Sequence, residues 1–180
     1  MLTIREKLNK EVLADMKQEF KLKSEFQVPR IDKVVVNVGI GKNLKDANVV
    51  AEITESLRAI TGQKPLMTQS KKSVAGFKVR EGQEIGMKVT LRGRRKWDFL
   101  EKLVGAAIPR VRDFQGIKES SVDKSGNLNI GIKEHLIFPE INPEQVKHVF
   151  SFQVTVVTSI SDREKGLALF RKLGFPIEKK

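Results

Sequence analysis

Cysteine is absent, which excludes disulfides, thiol catalysis and most structural zinc sites together. Tyrosine is absent too, and only two histidines are present, so few groups can move protons near neutral pH. No serine sits in a nucleophile-elbow context. The acid–base pair left to weigh is Glu134–His135, with Glu140 nearby in a proline-bearing stretch, and charged loop residues are usually only solvated. Two histidines with carboxylates make a weak case for metal, and no cofactor is expected. No apolar run approaches the ~20 residues of a membrane span, and no apolar signal region opens the chain, so a cytoplasmic protein without a membrane partner is expected. Aromatics make up 6% of residues and none falls on a polar strand face, which argues against a sheet of base-stacking rings.

Positive charge is what the chain has in excess, a net +12 over 180 residues. Residues 63–96 carry ten basic side chains against Glu81 and Glu84, eight of those twelve net charges. Charge so concentrated repels itself unless it meets a polyanion, and RNA is the expected one. The stretch is also patterned. Ile85, Met87, Val89 and Leu91 alternate with Gly86, Lys88, Thr90 and Arg92, the period of a strand with one apolar and one polar face.

The remaining pattern supplies helices and strands in mixed order. Thr3 and Glu6 form a capping box for an amphipathic helix over 4–20, and Asp32, Val34, Val36, Val38 and Ile40 share one face of a strand over 31–40. Ile31, Lys33, Val35, Asn37 and Gly39 share the other. A helix follows over 44–61 with Gly62 just past its end, then a short edge strand over 64–70 and a basic loop over 71–83. Trp97, Leu100, Leu103, Val104 and Ala107 form the stripe of a helix ended by Pro109, and 110–126 is irregular. Strands follow at 128–133 and 150–156, separated by a proline-bearing loop. Ser161 and Glu164 offer a second capping box, for a helix with Leu167, Phe170 and Leu173 that closes at Gly174. Half-polar strands point to an antiparallel sheet with one face open. The expected fold is one α+β domain over 1–180: a two-layer sandwich with a largely antiparallel sheet of about five strands, helices on one face and an open face for RNA.

That open face collects Lys33, Asn37, Lys88, Thr90, Arg92, Asn129, Gln153 and Thr155. Its functional reading is phosphate and 2′-hydroxyl contact with folded RNA; its plainer reading is a solvated sheet. Phe77, between Lys72 and Lys78 with Arg80 nearby, marks a loop tip able to reach a second nucleic acid or to pack back on its own base. Val38-Gly39-Ile40-Gly41-Lys42 lacks the third glycine of a dinucleotide fingerprint and the Ser or Thr of a phosphate loop, so it reads as a tight turn. Val111, Phe114, Ile117, Leu136, Ile137 and Phe138, with Glu134, Glu140 and Glu144, form either an apolar-acidic surface for a protein or the end of the core.

Several of these segments resemble one family. Lys72-Ser73-Val74-Ala75-Gly76-Phe77-Lys78-Val79-Arg80, Gly86-Met87-Lys88-Val89-Thr90-Leu91-Arg92-Gly93, Ile108-Pro109-Arg110-Val111-Arg112-Asp113-Phe114 and Ile137-Phe138-Pro139-Glu140-Ile141 are similar to bacterial-type large-subunit ribosomal protein five, in order along almost the whole chain. The resemblance implies a non-enzymatic constituent of the large subunit that binds 5S rRNA and anchors it in the central protuberance beside 23S rRNA. It puts Asn37, Gln63, Thr90 and Arg92 at the 5S rRNA surface, where Lys33 and Lys88 join them from the open face. It implies that Lys72, Ser73, Val74, Ala75, Gly76, Phe77, Lys78 and Arg80 approach the peptidyl-site tRNA. It also implies that Arg110, Arg112, Asp113, Phe114, Glu134, Phe138 and Glu140 face small-subunit ribosomal protein thirteen across a bridge, with other central-protuberance proteins as neighbours. A general RNA chaperone and an RNA-processing hydrolase using Glu134 and His135 remain the competing readings.

Overall fold

Valine-rich alternation puts β1 at Ile31–Gly39, and the same period puts β3 at Glu84–Leu91, β4 at Leu128–Ile132 and β5 at Phe152–Thr158. With β2 at Leu66–Gln69 they form a five-stranded antiparallel sheet in the order β2-β3-β1-β5-β4. The structure, a computed structural model, describes residues 3–41, 46–77 and 79–178. Its architecture is the expected α+β one, with β2 at a sheet edge behind Pro65. The chain packs as two compact units, one from Met1–Val34, Leu91–Ile130 and Thr155–Lys180, the other from Val35–Thr90 and Gly131–Val154.

In the first unit the capping box forms as expected: Glu6 N–H donates to Thr3 Oγ1 at 3.2 Å and Thr3 N–H to Glu6 Oε2 at 3.0 Å. The helix behind it is not uniform. It runs as α1 (Ile4–Lys7), a π-turn segment at Leu8–Val12, and α2 (Leu13–Glu19). Leu8, Val12 and Met16 stay on one buried line through that wider turn. After β3, α4 (Gly93–Lys102) also passes through a π-turn segment and ends in a 3-10 turn at Ile108–Arg110. Pro109 stands inside that last turn, so the stop comes one residue later than the proline implies. Phe99 is buried where the stripe put Trp97, which is half-buried with Lys96 Nζ 5.0 Å from its ring centroid. The cap of α5 (Arg163–Leu173) is Asp162 rather than Ser161: its Oδ1 accepts from Glu164 N–H at 3.0 Å and Lys165 N–H at 3.3 Å. Leu169 joins Phe170 and Leu173 in the core, while Leu167 is only half-buried.

In the second unit α3 (Ala47–Thr61) starts from the cap Asp46 and closes on Gly62 in the left-handed region. The expected start at residue 44, like Lys42 of the glycine turn, lies outside the described residues. Ile53, Leu57 and Ile60 are buried, and Thr54 Oγ1 lies 3.6 Å from Met87 Sδ, which fixes the apolar side of β3 as the covered one.

Candidate RNA-binding interface

Strand pleat positions the first group of residues. In the second unit Val36, Val38, Met87, Val89 and Val154 are buried, which turns Asn37, Lys88 and Gln153 outward and leaves Thr90 half-buried. Asn37 and Gln153 line a shallow open depression of about 480 Å³, together with Gly39, Gly131, Lys133 and Ser151. A Cβ at Gly39 or Gly131 would meet nothing within 4 Å, so both leave bare backbone at the surface. Backbone amides, side-chain amides, a hydroxyl and an ammonium offer donors and acceptors to phosphates and 2′-hydroxyls. Lys133 and Ser151 were not singled out in the sequence. Strand parity could have found them, since they continue the Asn129–Gly131 and Thr155–Gln153 rows.

Hydrogen bonding separates the outward residues. Thr155 Oγ1 donates to Asn129 Oδ1 at 2.8 Å, so that pair in the first unit is already satisfied. The side chains of Asn37, Gln63, Lys88 and Thr90 have no partner among the described residues. Gln63 follows Gly62, and its backbone is held by Thr61 through Oγ1 contacts at 3.0 and 3.3 Å. Lys88 is paired across the ladder with Leu66, an exposed leucine on the edge strand.

Arg92 and Lys33 belong to the first unit. The pleat does not position Arg92 as expected, because β3 stops at Leu91 and Arg92 occupies the cap before α4. Its Nη1 is 3.3 Å from both carboxylate oxygens of Asp32. This exposed pair is worth no more than about 1 kcal/mol, so a phosphate can compete for the guanidinium. The parity at the head of β1 also departs from expectation, with Ile31 buried and Asp32 exposed. Lys96 Nζ donates to the carbonyls of both and ties this strand end down. Burial there lowers the Lys96 pKa from its ordinary value, against the opposing pull of Asp32.

The loop over 71–83 is a built hairpin. Val74 and Val79 exchange backbone hydrogen bonds of 2.9 and 3.2 Å, and Ser70 and Gln83 close the base at 2.8 Å. Glu81 N–H donates to Ser73 Oγ at 3.0 Å. Phe77 does not fold back on this framework; it stands 82% exposed in the turn Ala75–Phe77. Lys72, Ser73, Val74, Ala75, Gly76 and Arg80 are exposed as well, and Lys78 lies outside the described residues.

Bridge candidates divide by burial. Arg110, Arg112, Asp113 and Phe114 are exposed in the first unit, with Asp113 in the left-handed region at φ 51°. Glu134 and Glu140 are exposed in the second. Phe138 is 0% exposed and packs on Phe152 at 5.8 Å, so it supports its loop from the core instead of offering a contact. Ile117 is likewise buried, which assigns part of the apolar group to the core.

His135 also departs from the catalytic alternative. It is 0% exposed, stacked on Phe150 with ring centroids 4.0 Å apart, and its Nδ1 accepts from Phe150 N–H at 3.4 Å. Substrate cannot reach it. Because Nδ1 accepts, the neutral ring carries its proton on Nε2, which has no partner among the described residues. Burial lowers its pKa from the ordinary 6.5, outweighing Phe150 and Glu52. The unfolded chain therefore takes up a proton near pH 6.5 that the folded one resists. Stability is expected to fall as pH drops from 6.5 towards the depressed value, with no contribution from this group above 6.5. Urea unfolding at stepped pH should show that decline, and His135→Phe should abolish it; an unchanged slope in the variant would refute the assignment.

A basic α+β protein whose open sheet face carries outward amide, hydroxyl and ammonium groups belongs to the RNA-binding class that works by contact. Residues 24–80 match the family described as "Ribosomal protein L5", and residues 84–177 match the C-terminus of the same ribosomal family. The chain is 47% identical over 169 residues to the "Large ribosomal subunit protein uL5" of Colwellia psychrerythraea, covering 94% of this chain and 93% of the relative. To the protein of that name from Chloroflexus aggregans it is 46% identical over 173 residues, 96% of each. The chain belongs to the ribosomal protein L5 family. It is a structural constituent of the large ribosomal subunit with ribosomal RNA as its partner, and it is not an enzyme.

Proposed function

We propose that this protein binds 5S rRNA and anchors it in the central protuberance beside 23S rRNA, with Asn37, Gln63, Lys88 and Thr90 of one unit and Lys33 and Arg92 of the other as contacts. The observation that carries this reading is the row Asn37, Lys88 and Thr90, turned outward or half-outward by the pleat with no side-chain partner among the described residues. Burying such groups against RNA forms hydrogen bonds without breaking internal ones. The hairpin over 71–83 contacts the peptidyl-site tRNA; support comes from Phe77 and from Lys71, Lys72 and Arg80, all exposed and without an ion pair among the described residues. Arg110, Arg112, Asp113, Phe114, Glu134 and Glu140 form the bridge to small-subunit ribosomal protein thirteen, supported by their exposure and mixed charge.

Filter-binding at physiological salt tests the central claim against the chaperone alternative. Affinity for 5S rRNA should exceed that for a shuffled RNA of equal length by at least ~1000-fold, a typical specificity ratio for a nucleic-acid site. Equal affinities would leave only general RNA binding. Replacing Lys71, Lys72, Lys78 and Arg80 by alanine should spare 5S rRNA binding while weakening tRNA crosslinking in assembled ribosomes, and loss of both would refute the division of labour.

A further inference from the structure

Outside the sheet and the hairpin, the turn that leads from α2 to β1 carries a ring with no structural duty. Phe26 is 86% exposed, the most exposed large apolar side chain among the described residues. Its backbone is nonetheless well fixed: Phe26 N–H donates to Ser24 Oγ at 3.3 Å, Gln27 N–H to the Ser24 carbonyl at 3.1 Å, and Lys23 N–H to Gln27 Oε1 at 3.2 Å. Val28 and Pro29 behind it are buried, Arg30 N–H donates to Ser159 Oγ at 3.1 Å, and Ser159 N–H donates to the Arg30 carbonyl at 2.8 Å. The Arg30 guanidinium carbon lies 5.9 Å from the Phe26 ring centroid, within cation–π range. Lys21 and Lys23 are exposed and make no ion pair among the described residues. Lys21 also holds φ at 47°, a left-handed conformation that L side chains rarely adopt.

We infer that Phe26 and Arg30 form a stacking site for one unpaired nucleotide, with Lys21 and Lys23 meeting the phosphates on either side. Inside a duplex both faces of a base are covered by its stacked neighbours, so the occupant is single-stranded RNA. The charge excludes a basic peptide, and the open ring and guanidinium plane favour a nucleobase over an aliphatic side chain. The site rests on the RNA-binding reading only in the class of its ligand, and none of its residues belongs to the proposed 5S rRNA surface. Low aromatic content spoke against rings on the sheet; it does not bear on a single ring presented from a turn.

The test uses the full chain with fluorescein-labelled ten-nucleotide oligoadenylate and a hairpin RNA of equal charge whose paired strands are joined by a non-nucleotide linker. Phe26→Ala should weaken oligoadenylate binding by roughly tenfold or more and leave the hairpin unaffected, since one base stack is worth about that factor. Phe26→Trp should retain binding, and Lys21→Ala with Lys23→Ala should lower the salt slope by ~0.7 for each phosphate left without its lysine. Because the ring is exposed, thermal melting of Phe26→Ala should match the parent. Equal weakening on both RNAs, no change on either, or a weakening seen only with Phe77→Ala would overturn the site. Asn37→Ala and Thr90→Ala separate the two readings: if they leave 5S rRNA binding intact while Phe26→Ala still weakens oligoadenylate binding, the sheet assignment fails and this one stands.

Discussion

Replacing Asn37, Lys88 and Thr90 together by alanine is expected to weaken 5S rRNA binding about 100-fold or more. Each side chain is turned outward or half-outward by the pleat and has no partner among the described residues, so each can form a bond with RNA. Removing a specific polar interaction costs roughly 1 kcal/mol, more where a charge is involved, and three such changes at separate positions approach 3 kcal/mol. The effect divides by chemistry. Removing Lys88 should reduce the slope of log affinity against log salt by about one, while Asn37→Ala and Thr90→Ala should lower affinity at every salt concentration without altering that slope. None of the three supports the core, so the unfolding midpoint should hold. Unchanged affinity for 5S rRNA, measured with a folded triple variant, would remove this face from the interface.

Gly166→Val is expected to cost about 3 kcal/mol of stability or more without touching any proposed RNA-binding residue. A Cβ at residue 166 would stand 2.6 Å from the Gly126 carbonyl oxygen and 2.7 Å from Gly126 Cα. Both neighbours are backbone and cannot swing aside. Gly126 cannot retreat either: it sits at φ 75°, and its own Cβ position lies 2.6 Å from the Asp162 carbonyl oxygen. The turn before β4 and the first turns of α5 therefore meet glycine against glycine. Alanine in a helix interior is favoured over glycine by ~1 kcal/mol, but a clash with fixed backbone costs more, so even Gly166→Ala should destabilise. For a chain of this size the valine variant should melt roughly 6–12 °C lower. A melting temperature equal to the parent's would show that the two backbones separate freely.

The elements that local pattern specifies are those where one period dominates. Strand β3 needed only Met87, Val89 and Leu91 against Lys88 and Thr90, and Thr3 with Glu6 announced the first helix, because both signals are local. The misreadings fall where a second element decides. Phe99 displaced Trp97 because the buried line of this helix runs through Phe99, Leu100, Leu103 and Ala107. Asp162 displaced Ser161 because two acceptors of equal propensity stood side by side and backbone geometry chose.

Alternation, charge and motif order are properties of the chain, so the fold class, the basic character, the family and the placing of Asn37, Lys88 and Thr90 on polar strand faces are legible before any folding is considered. That His135 and Phe138 are sealed in the core, that Arg92 leans on Asp32, and that Phe26 and Phe77 stand in solvent emerges only on folding. Those outcomes depend on what distant segments cover, and burial by a remote neighbour leaves no trace in local periodicity.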